Sequence, residues 1–478
     1  MKERLRPTTK KPTNDRSEAG GRPETAPSGA ALRVPRPKRA RSTEVARSDV
    51  ARSSAAQPAF GGAPMPPPES GAPHVLIVGG GGTGGALAHD LTLRGLRVTL
   101  VERGEITSGT TGRHHGLLHS GARYVTTDRA AAIECSAENK ILRRICPGSF
   151  EENDGLFVAI TDEDAAYEKQ FLEACWECAV PARRIEREAA LRMEPGLNPE
   201  LRFAIQVPDA TMDAMRMPLR FFATARRNGA SIRPFTEVVA VTMTGRTVSG
   251  VRVRDRASDR EYEIGADIVV NAAGPWAGRV AALAGVSVPV APSPGVMVAV
   301  RGRLCNMVVN RLHSPGDGDI VLPQRQLTVV GTSSWLVDDP DDLATPPEQI
   351  EAMVRESAAL VPAVARAEIR AAWSAARPLI GGSGGSTGSG GSTGSGAAGG
   401  AASGGKAGRE LGREWRCFDH AADKTPTEGF CTVAGGKATT LRAMAEGTAD
   451  AVCAKLGLVR PCSTNDVVLL PHTAWYSA

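Results

Sequence analysis

Apolar and polar positions along the chain fall into clearly different regimes. Through residue 72 there is neither helical nor strand periodicity, and Pro, Ala, Ser and Arg dominate, so residues 1–72 read as a disordered basic tail. At residues 75–78 comes a continuous apolar run, Val75-Leu76-Ile77-Val78, which fits a parallel strand buried on both faces. A glycine-rich turn follows, then a helix from Ala86 through Leu93, then a second parallel strand over Val98–Glu102, which together make a βαβ unit. From about Gly148 to Pro208 helical stretches alternate with short apolar runs. Val238 to Val253 alternates like antiparallel strands, and Ile268 to Gly274 is a further buried-strand candidate. Tyr167, Phe171, Leu172 and Cys175 are spaced for one face of an amphipathic helix, as are Leu441, Met444, Ala445, Ala449, Val452, Cys453 and Leu456, which predict a helix over Thr439–Leu456. Residues 381–408 are almost wholly Gly, Ser, Thr and Ala, the composition of a flexible loop that packs no core.

Charge sharpens this division. The tail carries 14 Lys and Arg against 7 Asp and Glu, so the rest of the chain is close to neutral and the basic balance belongs to the tail. No aromatic residue precedes Phe60, which removes the base-stacking platform of a single-strand binder, and no nucleic-acid partner is expected. No apolar run approaches the ~20 residues that span a bilayer, and the tail lacks the apolar core of a secretory signal. The chain is therefore expected in the cytoplasm, peripheral to a membrane at most. Of nine cysteines only Cys175 and Cys178 form a C-x-x-C pair, on the helix face just described, and a buried face explains them more simply than a redox or metal site. No zinc or iron–sulfur cluster is expected.

The strongest local motif is Gly79-x-Gly81-x-x-Gly84, directly after a strand and at the mouth of a helix, with Glu102 ending the second strand. The glycines allow a tight turn and a close backbone approach to a pyrophosphate, the helix N-terminus supplies N–H groups, and Glu102 can accept from ribose hydroxyls. This predicts a dinucleotide and leaves NAD and FAD both open.

The next segment decides between them. Ser108-Gly109-Thr110-Thr111-Gly112-Arg113-His114-His115-Gly116-Leu117-Leu118-His119-Ser120-Gly121-Ala122-Arg123-Tyr124 resembles the flavin-contacting segment of FAD-dependent glycerol-3-phosphate dehydrogenases of the anaerobic A-subunit type, which carry Asn where this chain has His114. The likeness continues through Val207 to Asp213, Asn271-Ala272-Ala273-Gly274-Pro275-Trp276, Arg377-Pro378-Leu379, Arg413, Asp419-His420 and Gly435 to Arg442.

The resemblance implies an α/β architecture: a Rossmann-type FAD-binding domain interleaved with an antiparallel-sheet substrate domain of the D-amino-acid-oxidase type. FAD-domain segments are expected at 73–147, 203–290 and 409–465, substrate-domain segments at 148–202 and 291–380, and a C-terminal tail at 466–478. It implies noncovalent FAD contacted by Gly79, Gly81, Gly84, Glu102, Ser108, Thr110, Thr111, Gly274, Gly435 and Gly436. It also implies oxidation of sn-glycerol 3-phosphate to dihydroxyacetone phosphate. Arg377, Arg413 and Arg123 are the phosphate candidates because a guanidinium binds a dianion in a planar fork. His119 and His115 are the candidates for taking the C2 hydroxyl proton, and Lys437 for stabilising charge on the flavin. Electrons would leave to a quinone or to electron-transfer subunits, with peripheral attachment to the inner face of the cell membrane. Another oxidase of amino or 2-hydroxy acids on the same fold stays open, as does a flavin-binding scaffold without turnover.

Overall fold

The first apolar run forms strand β1 (His74–Val78), followed by helix α1 (Gly82–Leu93) and strand β2 (Arg97–Val101). The structure is a computed structural model and describes residues 68–381 and 414–477. β1 runs parallel to β2 on one side and to Ile268–Asn271 on the other. Ser231–Arg233 and Phe430–Gly435 extend this parallel sheet, and Trp415–Asp419 closes one edge in antiparallel pairing. Two covered faces explain why β1 is apolar from Val75 to Val78. Val75 and Ile77 pack against Leu87 and Leu91 of α1, Phe222 of the helix Arg216–Arg227 and Ala449 of the helix Leu441–Lys455. Leu76 and Val78 point the other way, onto Val251 and Val253 of a three-stranded antiparallel sheet. The alternating stretch supplies two of its strands, Thr236–Thr244 and Thr247–Asp255, turning at Gly245 with φ +63°.

The second domain is built on an eight-stranded sheet in the order Ile369–Ile380, Val290–Arg301, Leu327–Gly331, Ile320–Gln324, Val308–Arg311, Gly155–Ala159, Phe203–Val207, Arg183–Glu186. All neighbours are antiparallel except Val308–Arg311 with Gly155–Ala159. The helix Pro347–Leu360 covers one face through Met353 and Leu360. Phe171 and Cys175 of the helix Glu168–Glu177 cover the other, with Cys178 buried just beyond, so the C-x-x-C pair is core.

Several boundaries differ from those read in the sequence. Phe203–Val207 pairs with Gly155–Ala159 and so belongs to the substrate-side sheet; its apolar run fits either sheet, and pairing decides. The last long helix starts at Leu441, with a single 3₁₀ turn over Ala438–Thr440 before it. The stretch expected as a C-terminal tail is docked. Leu469 is fully buried, its N–H donates to Ile145 O at 2.8 Å, and its carbonyl accepts from Arg220 Nη2 at 2.8 Å. Trp475 lies under the Arg226 guanidinium, 4.2 Å from the ring centroid. Order also begins before residue 73, since Ala72 N donates to Glu69 O at 2.9 Å. Most of the expected basic tail (residues 1–67) and nearly all of the expected flexible loop lie outside the described residues.

One core position on α1 breaks the apolar rule. His89 is fully buried against Phe221 (ring centroids 5.9 Å apart), and neither ring nitrogen has a hydrogen-bond partner. Burial drives its pKa from 6.5 to about 3. The unfolded chain therefore binds a proton that the folded chain refuses, and His89 makes stability fall as pH drops from about 6.5 toward 3. Replacing it by Leu removes both the orphaned nitrogens and this linkage. His89→Leu should raise Tm by a few degrees at pH 7, and its stability, followed by circular dichroism between pH 7 and 5, should fall less steeply than that of the parent. A lower Tm with an unchanged slope would contradict this account.

Candidate active site

The turn between β1 and α1 is shaped by what its glycines exclude. A Cβ on Gly84 would lie 2.0 Å from Gly79 O, and one on Gly79, which sits at φ +116°, would lie 2.6 Å from Ala272 O. Gly84 therefore serves the packing of α1 onto the turn and does not itself reach the cavity. Gly81 is different: a Cβ there would meet only Thr111 Oγ1, at 3.2 Å, and the remaining space belongs to a cavity of about 710 Å³. Glu102 braces the turn from below, Oε2 accepting from Gly80 N at 2.7 Å and Oε1 from Gly104 N at 2.8 Å, and its side chain still lines the cavity. Thr111 Oγ1 accepts from Gly82 N at 2.9 Å, satisfying one free donor of the α1 N-terminus. Ser108, Thr110, Gly274, Gly435 and Gly436 line the same space. Gly435 and Gly436 adopt φ +86° and +75°, where a Cβ would strike Glu414 O and Met444 Sδ, so glycine is required for the backbone to approach there.

Four side chains singled out by sequence converge in this cavity: His115, His119, Lys437 and Arg377. The short strand Leu117–Leu118, paired with Ala210–Met212, delivers His119 into it. The His119 backbone is fixed on both sides, N donating to Thr439 Oγ1 at 3.1 Å and O accepting from Asn139 Nδ2 at 3.1 Å. Its ring lies 5.9 Å from His115 and 5.2 Å from Tyr124, and Lys437 Nζ sits 4.8 Å from the Tyr124 ring centroid. His115 Nδ1 accepts from Leu117 N at 3.1 Å, which puts the proton of the neutral ring on Nε2. Burial first, then the neighbouring His119 and His114 and the charges of Arg377 and Arg123, hold its pKa well below the usual imidazole value. His115 is thus a neutral donor at physiological pH.

Arg377 is held flat along its strand opposite Ser293. Its Nη2 donates to Ser333 O at 3.2 Å and to Thr332 Oγ1, and its Nη1 approaches the carbonyls of Ser293 and Pro294 at 3.4 Å. Gly295 leaves the room for it, since a Cβ there would lie 2.7 Å from Nη2. Arg123 is placed differently from the phosphate role assigned by resemblance. Its Nη2 donates to the buried Asp319 Oδ1 at 2.7 Å and to Gly316 O at 3.3 Å, and it is not part of the cavity wall. Arg123 and Tyr124 are successive residues of one 3₁₀ turn and so point about 120° apart, and only Tyr124 faces the cavity. Arg413 lies outside the described residues, which resume at Glu414. Among the described residues, no group of three His, Cys, Asp or Glu is placed to hold a metal ion.

The structure adds residues that sequence reasoning did not assign. Gln324 Nε2 donates to His115 O at 3.1 Å and approaches Gly116 O and Met212 O, pinning the histidine segment. Asp341, on a loop of the substrate-side domain, accepts from Arg103 Nη2 (2.9 Å), Trp276 Nε1 (2.8 Å) and Arg279 Nη1 (2.7 Å), while Arg103 stacks 4.5 Å over Trp276. Burial alone would raise the Asp341 pKa, but the donors of Arg103 and Trp276 outweigh it and the carboxyl is held below its ordinary value. Trp276 stood in a matched block, whereas nothing in the sequence marked Gln324 or Asp341.

Residues 74–408 match the family model described as FAD dependent oxidoreductase. The chain is 38% identical over 397 residues to the A subunit of the anaerobic glycerol-3-phosphate dehydrogenase of Escherichia coli strain K12, covering 83% of this chain and 69% of that one. It is 40% identical over 404 residues to the A1 subunit of the corresponding enzyme of Haloferax volcanii, covering 82% and 66%. Among solved structures, the glycerol-3-phosphate dehydrogenase of Bacillus halodurans complexed with FAD superposes with a TM-score of 0.62 at 23% identity, over 83% of this chain and 68% of that one, which speaks for the fold. The open face of Gly81, the paired positive-φ glycines and the acid at the end of β2 fit the FAD that this fold carries, and the chain belongs to the FAD dependent oxidoreductase family, among the A subunits of anaerobic glycerol-3-phosphate dehydrogenases.

Proposed function

We propose that this FAD-dependent dehydrogenase oxidises sn-glycerol 3-phosphate to dihydroxyacetone phosphate with Arg377 as the phosphate anchor and His119 as the base, and that its electrons pass to a quinone or to a partner protein. The observation that carries this reading is the convergence of Arg377, His115, His119 and Lys437 on the one cavity that also holds the dinucleotide turn. Bound FAD supplies the hydride acceptor for C2 of the substrate.

The roles of the side chains follow from their chemistry. Arg377 brings a guanidinium charge to the cavity wall that suits a phosphate dianion, and its strand keeps it fixed. His119 takes the C2 hydroxyl proton. His115 cannot share that task in this arrangement, because its Nδ1 is occupied and its Nε2 already carries a proton; it donates to the reacting oxygen instead. Lys437, beside the Tyr124 ring on the cavity wall, would supply positive charge to stabilise a bound, reduced flavin. Arg413, which the resemblance singles out, assists with the phosphate. Among the described residues no helix is long and apolar enough to cross a membrane, and a peripheral position at the inner face would bring the protein to its acceptor.

A charge-assisted hydrogen bond contributes roughly 1.5–3 kcal/mol, so Arg377→Ala should weaken use of glycerol 3-phosphate by about ten- to a hundredfold or more, Arg377→Lys should recover only part, and glycerol should resemble the Ala variant. Anaerobic stopped-flow bleaching of the flavin reads all three. Faster bleaching by 2-hydroxyglutarate or a D-amino acid, or an unaffected Arg377→Ala, would overturn the substrate assignment. In the same assay His119→Ala should lower the bleaching rate by about a hundredfold or more with a smaller effect on half-saturation. His115→Asn, which keeps an acceptor for Leu117 N and a donor toward the cavity, should retain most of the rate. The opposite ranking would exchange their roles.

A further inference from the structure

After Gly331 the chain leaves the substrate-side sheet, crosses to the cofactor half and returns. The outward leg is tied to its own sheet as far as residue 337, Trp335 N donating to Pro294 O at 3.3 Å and Val337 N to Pro292 O at 3.1 Å. The return leg is tied again from residue 344, where Ser374 Oγ donates to Ala344 O at 2.8 Å and meets Thr345 Oγ1 at 3.1 Å. Between these anchors, residues 338–343 bond to one another, Asp341 N to Asp339 Oδ1 at 2.7 Å and Asp342 N to Asp339 O at 3.0 Å, and otherwise reach outward to the cofactor half. There two carboxylates grip Arg279, Nη2 donating to Asp339 Oδ1 at 2.5 Å and Nη1 to Asp341 Oδ2 at 2.7 Å, while Arg103 and Trp276 donate to Asp341 Oδ1.

Arg103, Trp276, Arg279, Asp341 and Leu343 all line the cavity that carries the dinucleotide turn. The side chains of Arg103, Arg279, Asp339 and Asp341 are nonetheless 40–56% exposed, so their contacts stand at the rim, with solvent on the outside. We propose that residues 338–343 are a clasp over the rim of the cofactor cavity, closed by Asp339 and Asp341 on Arg279, Arg103 and Trp276, and that its opening sets how fast FAD leaves. The physical case rests on where the strong and weak contacts lie. The tip is fixed to its own domain at both ends and to the other half by ion pairs that water and salt weaken. Opening it leaves Thr332 and Ser333, at the root of the loop, on Arg377, so the proposed phosphate anchor stays where it is. Low cost of breaking, which makes such pairs poor contributors to fold stability, is what a closure that must open requires.

The test uses the holoenzyme and follows FAD release by the rise of flavin fluorescence on dilution, at low and at high salt. Asp341→Asn removes the charge of the clasp, and Asp338→Asn removes an equal charge from the same loop outside it. Asp341→Asn should speed FAD release by about three- to tenfold at low salt, whereas Asp338→Asn should stay within about twofold of the parent. High salt should accelerate release from the parent by a similar factor and from Asp341→Asn distinctly less. Arg279→Gln should also speed release, and the double variant with Asp341→Asn should exceed the faster single by no more than about twofold, because both changes break one clasp. The proposal is overturned if Asp341→Asn and Asp338→Asn release FAD alike, if salt accelerates the parent and Asp341→Asn equally, or if the double variant shows the product of the two single effects. Half-saturation by glycerol 3-phosphate, taken from anaerobic bleaching, should stay within about twofold of the parent. A raised half-saturation with unchanged FAD release would place the loop at the substrate's entrance and overturn the proposal as well. FAD release is read without substrate, so a flavin that glycerol 3-phosphate fails to bleach would fail the substrate reading and leave the test of the clasp standing.

Discussion

The cofactor half of the molecule depends on how closely α1 can approach the turn that precedes it. A Cβ at Gly84 would sit 2.0 Å from Gly79 O, so only hydrogen fits there, and the first turn of the helix is seated directly on the end of β1. Everything facing the cavity is referred to that contact. With α1 in place, Gly82 N reaches Thr111 and Gly80 N reaches Glu102, which fixes the segments after β2. The helix Leu441–Lys455 packs on α1 through Leu441, Met444 and Ala445 and carries the Gly435-Gly436-Lys437 turn to the opposite wall. A side chain at Gly84 would push these elements apart together, whereas one at Gly81 would leave the scaffold and fill the space meant for a ligand.

The two halves of the protein are joined by different means. Inside the cofactor half, Arg94 is fully enclosed with Asp90 at 2.5 Å and also reaches Asp450, and Arg442 is enclosed with Glu138 at 2.5 Å and also reaches Glu446. Such charges are costly to bury and costly to separate, about 3–5 kcal/mol when one partner is removed. Arg94 thus ties α1 to the last helix through Asp450, and Arg442 ties the last helix to the helix Arg129–Ile145 through Glu138. Between the halves, Thr110 Oγ1 donates to Ala376 O at 2.6 Å and Trp373 Nε1 to Arg113 O, joining the flavin-facing segment to the strand Ile369–Ile380, and the Arg123–Asp319 ion pair is buried. The Asp341 cluster adds ion pairs, but its side chains are about half exposed, and screened pairs of that kind contribute little to stability. Arg377 is therefore registered against the turn by short neutral hydrogen bonds.

The legible parts of the fold were those whose cause is local. The β1–α1–β2 unit announces itself because a buried strand, a glycine turn and a helix face are each written within a dozen residues. The surroundings of Arg377 were not legible: Thr332 and Ser333 come from a segment more than forty residues earlier in the chain, brought close by a sheet order that no local pattern encodes. Arg123 illustrates the same limit. Its block matches a family motif, but its charge is claimed by Asp319, 196 positions away, and the pitch of one 3₁₀ turn gives the cavity to Tyr124 instead. The docking of Leu469 and Trp475 escaped notice because two anchors on an irregular stretch have no period to detect. Gln324 escaped because its function, three carbonyls at the end of one amide, exists only after the chain has folded.

The histidine segment shows how charge is divided in the cavity. Arg377 and Lys437 already place fixed positive charge on its wall, as a dianionic substrate requires, and Arg123 adds its field from behind. A further cation there would lose hydration and meet repulsion, and for His115 both effects act in the same direction to keep the ring neutral. The backbone then settles which nitrogen of a neutral ring is free, through Gly116 N for His114 and Leu117 N for His115. Two residues that would titrate near neutrality in water thus become fixed hydrogen-bond donors, and the proton chemistry of the proposed reaction is assigned to His119, whose backbone is held by Thr439 and Asn139.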